Sequence, residues 1–239
     1  MIQHLIKLVW NKKRSSFLTI IEVALAFVVL FGVLTYAINN LTEYNKPIGF
    51  RTEDILIVPL NYTMDDDSTT IVNKRENLLR EINSIPEVMS ASFGFSCTPF
   101  MGCDWNTSNN EDDQYYFETA MRIADVNYAE TVDLNIIEGR WYSEEDMAGK
   151  YTPIVVNQIV VDEVFKGESP LGKIVELWDE NIVVGVVDHH RYTNEFEPEG
   201  QATFIAMEKI DDPVGIGNTL TLRMQPDAPV AVEQTISEV

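Results

Sequence analysis

The sequence predicts an α+β protein: one N-terminal transmembrane helix followed by an extracytoplasmic domain of two α/β subdomains. Three observations predict it. Residues 17–38 form an unbroken apolar run behind a basic leader. The chain beyond it alternates short β-rich runs with amphipathic stretches, the pattern of mixed helix and strand. A long polar stretch at 96–114 then interrupts that pattern and reads as an excursion between subdomains. The expected organisation is a leader at 1–16, a membrane helix at 17–38, a stalk at 39–50, a first subdomain of 51–96 plus 201–239, and an inserted, strand-rich second subdomain at 97–200.

The leader carries Lys7, Lys12, Lys13 and Arg14 and no acidic residue. Within it Ile2, Leu5, Ile6, Val9 and Trp10 stand at helical spacing. They read either as a short helix on the inner leaflet, with Trp10 at the interface, or as an unstructured basic segment. The run FLTIIEVALAFVVLFGVLTYAI at 17–38 would reach ~33 Å as a helix at ~1.5 Å per residue, against ~30 Å for a hydrocarbon core. A signal peptide has an apolar region of only about 7–15 residues and ends on small residues. This run is longer and ends Thr35-Tyr36-Ala37-Ile38-Asn39, so an uncleaved anchor is expected. Positive flanks stay in the cytoplasm, which puts the N-terminus inside and residues 39–239 outside. Glu22 is the one acidic or basic residue in the run; it faces a partner helix or snorkels to the interface.

In the outer part, Asp54–Asn61 reads as a strand, Thr69–Ser84 as an amphipathic helix stopped by Pro86, and Val88–Phe95 as a second strand. Tyr115–Ile123 follows as a strand, Asp125–Val132 as a short helix, and Asn135–Glu138 as the approach to a turn at Gly139-Arg140. Thr152–Asn157 reads as a strand and Gln158–Phe165 as a helix. Ile174–Trp178 and Ile182–Val187 form a hairpin. Gln201–Met207 and Thr219–Met224 are further strands, and Ala228–Val239 begins a helix.

The net charge is −21, and with the leader set aside 13 basic residues face 38 acidic ones. That field repels nucleic acid and anionic headgroups, so nucleic-acid binding is excluded. Cys97 and Cys103 are not a CxxC pair, and no second Cys or His pair lies at zinc-ligand spacing. In an oxidising compartment they either close a short disulfide loop or pack as separate thiols. The chain has no GxSxG, HExxH or P-loop, and Gly215-Ile216-Gly217 lacks a third glycine. His189 and His190 follow Asp188 directly. Adjacent residues of an extended segment point to opposite sides, so this reads more readily as a packed loop than as a metal or catalytic site. No catalytic, cofactor-binding or metal residue is expected, and the chain is not read as an enzyme.

From Asp125 onward the order of motifs resembles the periplasmic core domain of MacB/FtsX-type ABC transporter permeases. An apolar stretch leads to Gly139-Arg140, followed by Ser143-Glu144-Glu145-Asp146. Then come Ile154-Val155-Val156-Asn157, Val164-Phe165-Lys166-Gly167 and Ser169-Pro170-Leu171-Gly172-Lys173. The strand Ile182-Val183-Val184-Gly185-Val186-Val187 ends in Asp188, and Glu197-Pro198 precedes the strand at Ala202–Ala206. The basic leader and single span are similar to the family's first membrane segment. On this resemblance Gly139, Arg140, Asn157, Pro170, Gly172, Lys173, Gly185 and Asp188 are scaffold.

The resemblance implies a permease subunit that transmits ATP-driven movement to an extracytoplasmic domain for efflux or export-related work. It implies a cytoplasmic ATP-binding subunit, a second permease half, surrounding membrane lipid, a periplasmic partner protein, no cofactor, and a place in the bacterial inner membrane. Such permeases carry three more membrane helices after this domain, so the chain is read as a fragment or an interrupted gene. The rival reading is a single-pass anchored sensor or binding domain.

Overall fold

The computed structural model describes residues 13–61, 68–95, 106–109, 114–116, 118–177, 179–191, 194–209, 217–229 and 231–238. The chain divides into two compact units, Met1–Lys46 and Pro47–Val239.

In the first unit a helix, α1 (Lys13–Tyr44), runs for 32 residues. Its stretch Phe17–Tyr44 reaches a mean hydropathy of 2.7 and is long and apolar enough to cross a membrane. The side chains from Phe17 to Asn39, Glu22 among them, are exposed. The helix runs past the expected boundary at residue 38, so the expected stalk begins as helix. Near the helix end Thr42 Oγ1 donates to the Ile38 carbonyl at 2.8 Å, and Asn45 Nδ2 gives the Leu41 carbonyl of the last turn a donor at 2.6 Å. Pro47 follows and resists further helix.

The second unit opens with β1 (Ile55–Pro59), α2 (Ser68–Ile82) and β2 (Val88–Phe95). The helix forms because Ile71, Leu78, Leu79 and Ile82 share one face, with Ile71 and Ile82 fully buried. Next come β3 (Asn106–Ser108), β4 (Glu118–Ala124), the single turn α3 (Tyr128–Thr131) and β5 (Ile136–Gly139). A 3₁₀ turn at Glu144–Ala148 leads to β6 (Thr152–Asn157), α4 (Gln158–Glu163), β7 (Ile174–Glu176) and β8 (Glu180–Val187). The chain continues through β9 (Ala202–Ala206), β10 (Thr219–Met224) and α5 (Ala231–Glu238).

The strands make one mixed sheet in the order β1-β10-β2-β4-β9-β6-β8-β5, with β3 added to β4 and β7 to β8. β4–β9 and β6–β8 are parallel; the other pairs are antiparallel. One core lies at the β1–β10–β2 end, where Phe93, Leu220 and Leu222 meet Ile82, Val232 and Ile236. Two more lie at the other end. Ile154 and Val156 of β6 enter one with Met121 and Ile205, while Val155 enters the other with Tyr128, Trp141 and Phe204. Alternate residues of β6 thus feed opposite faces, so all six of its residues are buried.

The strand at Ala202–Ala206 departs from its expected place in the first subdomain. It pairs parallel with β4 and antiparallel with β6, among the strands of the expected insertion. All its residues are buried, which demands a neighbour on each edge and a core on each face. β2 meets β4 through two residue pairs, Gly94 with Ala124 and Phe95 with Ile123, so one sheet runs across the expected boundary. Two strands lie where none was expected: β3 within the polar stretch and β5 before the Gly139 turn.

Candidate functional site

Because β6 and β8 run parallel with Asn157 opposite Val187, the residues after both strands emerge at one end of the sheet. A polar cluster forms there. Asn157 is fully buried. Its Oδ1 accepts from the Val160 amide at 3.3 Å, which caps α4, and from the Ala202 amide at 3.1 Å, at the start of β9. Its Nδ2 donates to the Gly200 carbonyl at 2.8 Å and to Glu199 Oε1 at 3.1 Å. Glu199 Oε1 also accepts from the His190 amide at 2.6 Å, and its Oε2 lies 2.7 Å from His189 Nδ1. His189 Nε2 lies 3.4 Å from Asp188 Oδ1, and Asn135 Nδ2 donates to Asp188 Oδ2 at 3.3 Å.

The two histidines face opposite ways, as extended backbone requires. His189 is partly exposed, and His190 is wholly buried between the rings of Phe50 and Phe204, with centroids at 5.2 and 4.7 Å. Burial, helped by the Arg122 charge, pulls the His190 imidazole down to about 3, so it is neutral at ordinary pH. Arg191 donates to the carbonyls of Glu195, at 3.1 Å, and Glu197, which shapes the loop leading to Glu199.

The first residues of the unit meet this cluster. The Arg191 amide donates to the Ile48 carbonyl at 2.9 Å, and the Arg51 amide to that of Val132 at 2.7 Å. Gly49 adopts φ +95°, and a Cβ there would stand 1.9 Å from the His189 carbonyl oxygen.

The other expected motif residues gather along the β5–β8 edge. Gly139 pairs with Gly185. Gly139 adopts φ +69°, and a Cβ on Gly185 would come within 2.2 Å of the Arg140 carbonyl oxygen. Arg140 grips Asp146 through both terminal nitrogens, at 2.6 and 2.7 Å, and Asp146 also accepts the Ser143 amide at 2.8 Å. Arg140 holds the Asp146 carboxyl well below the usual carboxylate range. After Pro170, the Gly172 amide donates to the Val183 carbonyl at 2.8 Å, and the Lys173 carbonyl accepts from the Val183 amide at 3.1 Å. The Lys173 ammonium lies over the rings of Phe165 and Tyr115, at 4.9 and 5.1 Å.

The structure therefore brings Asn157 and Asp188 into one network and Gly139, Arg140, Gly185 and the Pro170–Lys173 loop into another. Sequence reading missed Glu199, Gly49 and Asp125. Asp125, nearly buried, accepts from Ser92 Oγ and the Phe93 amide, both at 2.7 Å, and from the Asn127 amide at 3.0 Å, tying β2 to the end of β4. Burial pushes its carboxyl up to about 6 despite those bonds. The acids of a loop or strand end carry no spacing signal; only the glycine of Ile48-Gly49-Phe50 hinted at special backbone. Cys97 and Cys103 lie outside the described residues. Among the described residues no group of three His, Cys, Asp or Glu side chains is placed to hold a metal ion.

A family model described as the MacB-like periplasmic core domain matches residues 16–239. The chain belongs to this family. The MacB-like chain is also similar in fold to the periplasmic region of MacB from Actinobacillus actinomycetemcomitans, at 15% identity and a TM-score of 0.52, over 82% of this chain and 86% of that one. The extracellular domain of the noncanonic ABC-type transporter YknZ from Gram-positive bacteria aligns at 14% identity and a TM-score of 0.49, over 75% of this chain and 86% of that one. No curated protein matches. An apolar helix joined to a domain of this family makes the MacB-like chain a membrane-anchored protein with an extracytoplasmic domain.

Proposed function

We propose that the MacB-like chain supplies the first membrane helix and periplasmic core of an ABC transporter permease, and that it transmits movement rather than catalysing a reaction. The observation that carries this reading is the family match over 16–239, which takes in the membrane helix and the outer sheet together. A cytoplasmic ATP-binding subunit and a second permease half would provide the drive. The chain would sit in a bacterial inner membrane with its N-terminus in the cytoplasm. The well-satisfied hydrogen-bond networks around Asn157 and Asp125 suit a rigid body that moves as one piece.

The test removes residues 47–239 from the full-length permease, assembled with its ATPase in membranes. ATP hydrolysis should survive while the extracytoplasmic output is lost. Loss of hydrolysis together with output would count against a transmission role. Turnover of a substrate by the outer domain, abolished by changing Asp188 or His189, would replace it with an anchored enzyme.

A further inference from the structure

Residues 48–50 come shortly after the membrane helix in the sequence and each meets one strip of the domain, His189–Arg191, while the Arg51 amide bonds the Val132 carbonyl. Ile48 receives the Arg191 amide at 2.9 Å. Gly49 lies against the His189 carbonyl with no room for a side chain. The Phe50 ring packs on that of His190, with centroids 5.2 Å apart. That strip belongs to the loop between β8 and β9, which would yield under load if nothing held it. Besides the Arg191 bonds within the loop and the Phe204 ring against His190, a carboxylate ties the strip to the sheet. The Glu199 carboxylate, with a side chain only 9% exposed, binds His189 Nδ1 at 2.7 Å and the His190 amide at 2.6 Å on one side. On the other it accepts Asn157 Nδ2 at 3.1 Å. Asn157 in turn ends β6, caps α4 and receives the first amide of β9.

We propose that Glu199 is the positioning residue for transmission: its carboxylate fastens the lead-in segment Ile48–Phe50, through His189–Arg191, to the ends of β6 and β9, so that displacement of the membrane helix reaches the sheet. The proposal rests on the transmission reading above. A carboxylate suits the task because it only accepts: Oε1 takes both the His190 amide and Asn157 Nδ2, and Oε2 faces His189 Nδ1. Cutting it removes this acceptor of the His190 amide and leaves Asn157 Nδ2 only the Gly200 carbonyl, so the tie between loop and sheet is lost. Mechanical and energetic coupling travels through such packed, hydrogen-bonded elements, and its demonstration requires a perturbation on one side read out on the other.

The experiment uses the full-length permease with its ATPase in membranes. Amide hydrogen exchange is followed with and without a non-hydrolysable ATP analogue. In the wild type, nucleotide should change exchange both at residues 48–51 and in β9. In Glu199→Ala the change at 48–51 should persist, the change in β9 should be lost, and ATP hydrolysis should continue. Glu199→Gln, which keeps Oε1 for the His190 amide and Asn157, should restore the β9 response; a purely structural defect would not separate the two regions this way. If Glu199→Ala does not accumulate, Gly49→Ala, which displaces the His189 carbonyl, decides by the same readout. An unaltered β9 response in Glu199→Ala, or in Gly49→Ala where Glu199→Ala does not accumulate, overturns the proposal while leaving transmission intact. Absence of any nucleotide response in the wild-type domain overturns transmission itself, and this proposal with it.

Discussion

At the scale of single residues, close backbone approach and buried charge set the sharpest expectations. Gly185 lies where β8 passes the Arg140 peptide, and a Cβ would meet that carbonyl oxygen at 2.2 Å. Backbone on both sides cannot swing aside as a side-chain tip can, so Gly185→Val should lower the stability of the outer domain by about 1–3 kcal/mol, read from urea denaturation. Two buried titratable groups should give pH dependences of opposite sign. The Asp125 carboxyl rises from 3.8 to about 6 on folding. The unfolded chain therefore loses this proton first as pH rises, and stability falls between about pH 4 and pH 6. The loss is at most roughly 3 kcal/mol, because each tenfold difference in proton affinity is worth about 1.4 kcal/mol. His190 falls from 6.5 to about 3. Its contribution is intact above pH 6.5, where both states are neutral, and is lost as acid protonates the unfolded chain alone. Denaturation midpoints across this range should show the acid-side loss disappear in His190→Phe. They should show the opposite slope disappear in Asp125→Asn, whose overall stability also drops because one amide donor then faces another.

At the scale of elements, the Arg140–Asp146 pair fixes the 3₁₀ turn to the end of β5. Arg140 is 56% exposed and Asp146 only 18%, so solvent weakens the ion pair, while Asp146 also satisfies the Ser143 amide. Asp146→Ala should therefore cost more than Arg140→Ala, about 1 kcal/mol against a few tenths, by the same denaturation assay. The Arg140-dependent part should be lost as pH falls below the ordinary aspartate range, since Asp146 titrates lower when folded. Elements were legible in the sequence where burial wrote a pattern. Val88–Phe95, Thr152–Asn157 and Thr219–Met224 are strands at the expected residues, and α2 matches its apolar stripe. Asn106–Ser108 was not legible, because backbone pairing with β4 holds it and its side chains are polar. Ala202–Ala206 was legible as a strand but not in its neighbours: a strand apolar at four of its five residues announces burial on both faces without naming the strands beside it. Of the motif residues expected as scaffold, two, Asn157 and Asp188, lie in the polar cluster. Glu199, which organises that cluster, lies in a loop where no periodicity exists to be read.

At the scale of the whole molecule, the basic leader and the membrane helix together should set which side of the membrane the sheet occupies. The leader holds Lys7, Lys12, Lys13 and Arg14 without an acid, whereas the remainder carries 38 acidic residues against 13 basic ones. Basic residues beside a span resist translocation, while acidic ones contribute little to orientation. The four leader charges should therefore set the topology, and the acidic outer domain should follow across the membrane because of them. A reporter active only in the cytoplasm, fused after Val239, should stay silent in the wild-type chain. Replacing all four basic residues with Gln removes the asymmetry but leaves the span Phe17–Tyr44 unaltered. The reporter should then become active in part of the population, with membrane attachment retained. Full activity in the wild-type chain would invert the topology and place the sheet, with Glu199 and the lead-in segment, in the cytoplasm. Silence in the four-charge variant would mean that the span or the folded domain sets orientation without the leader.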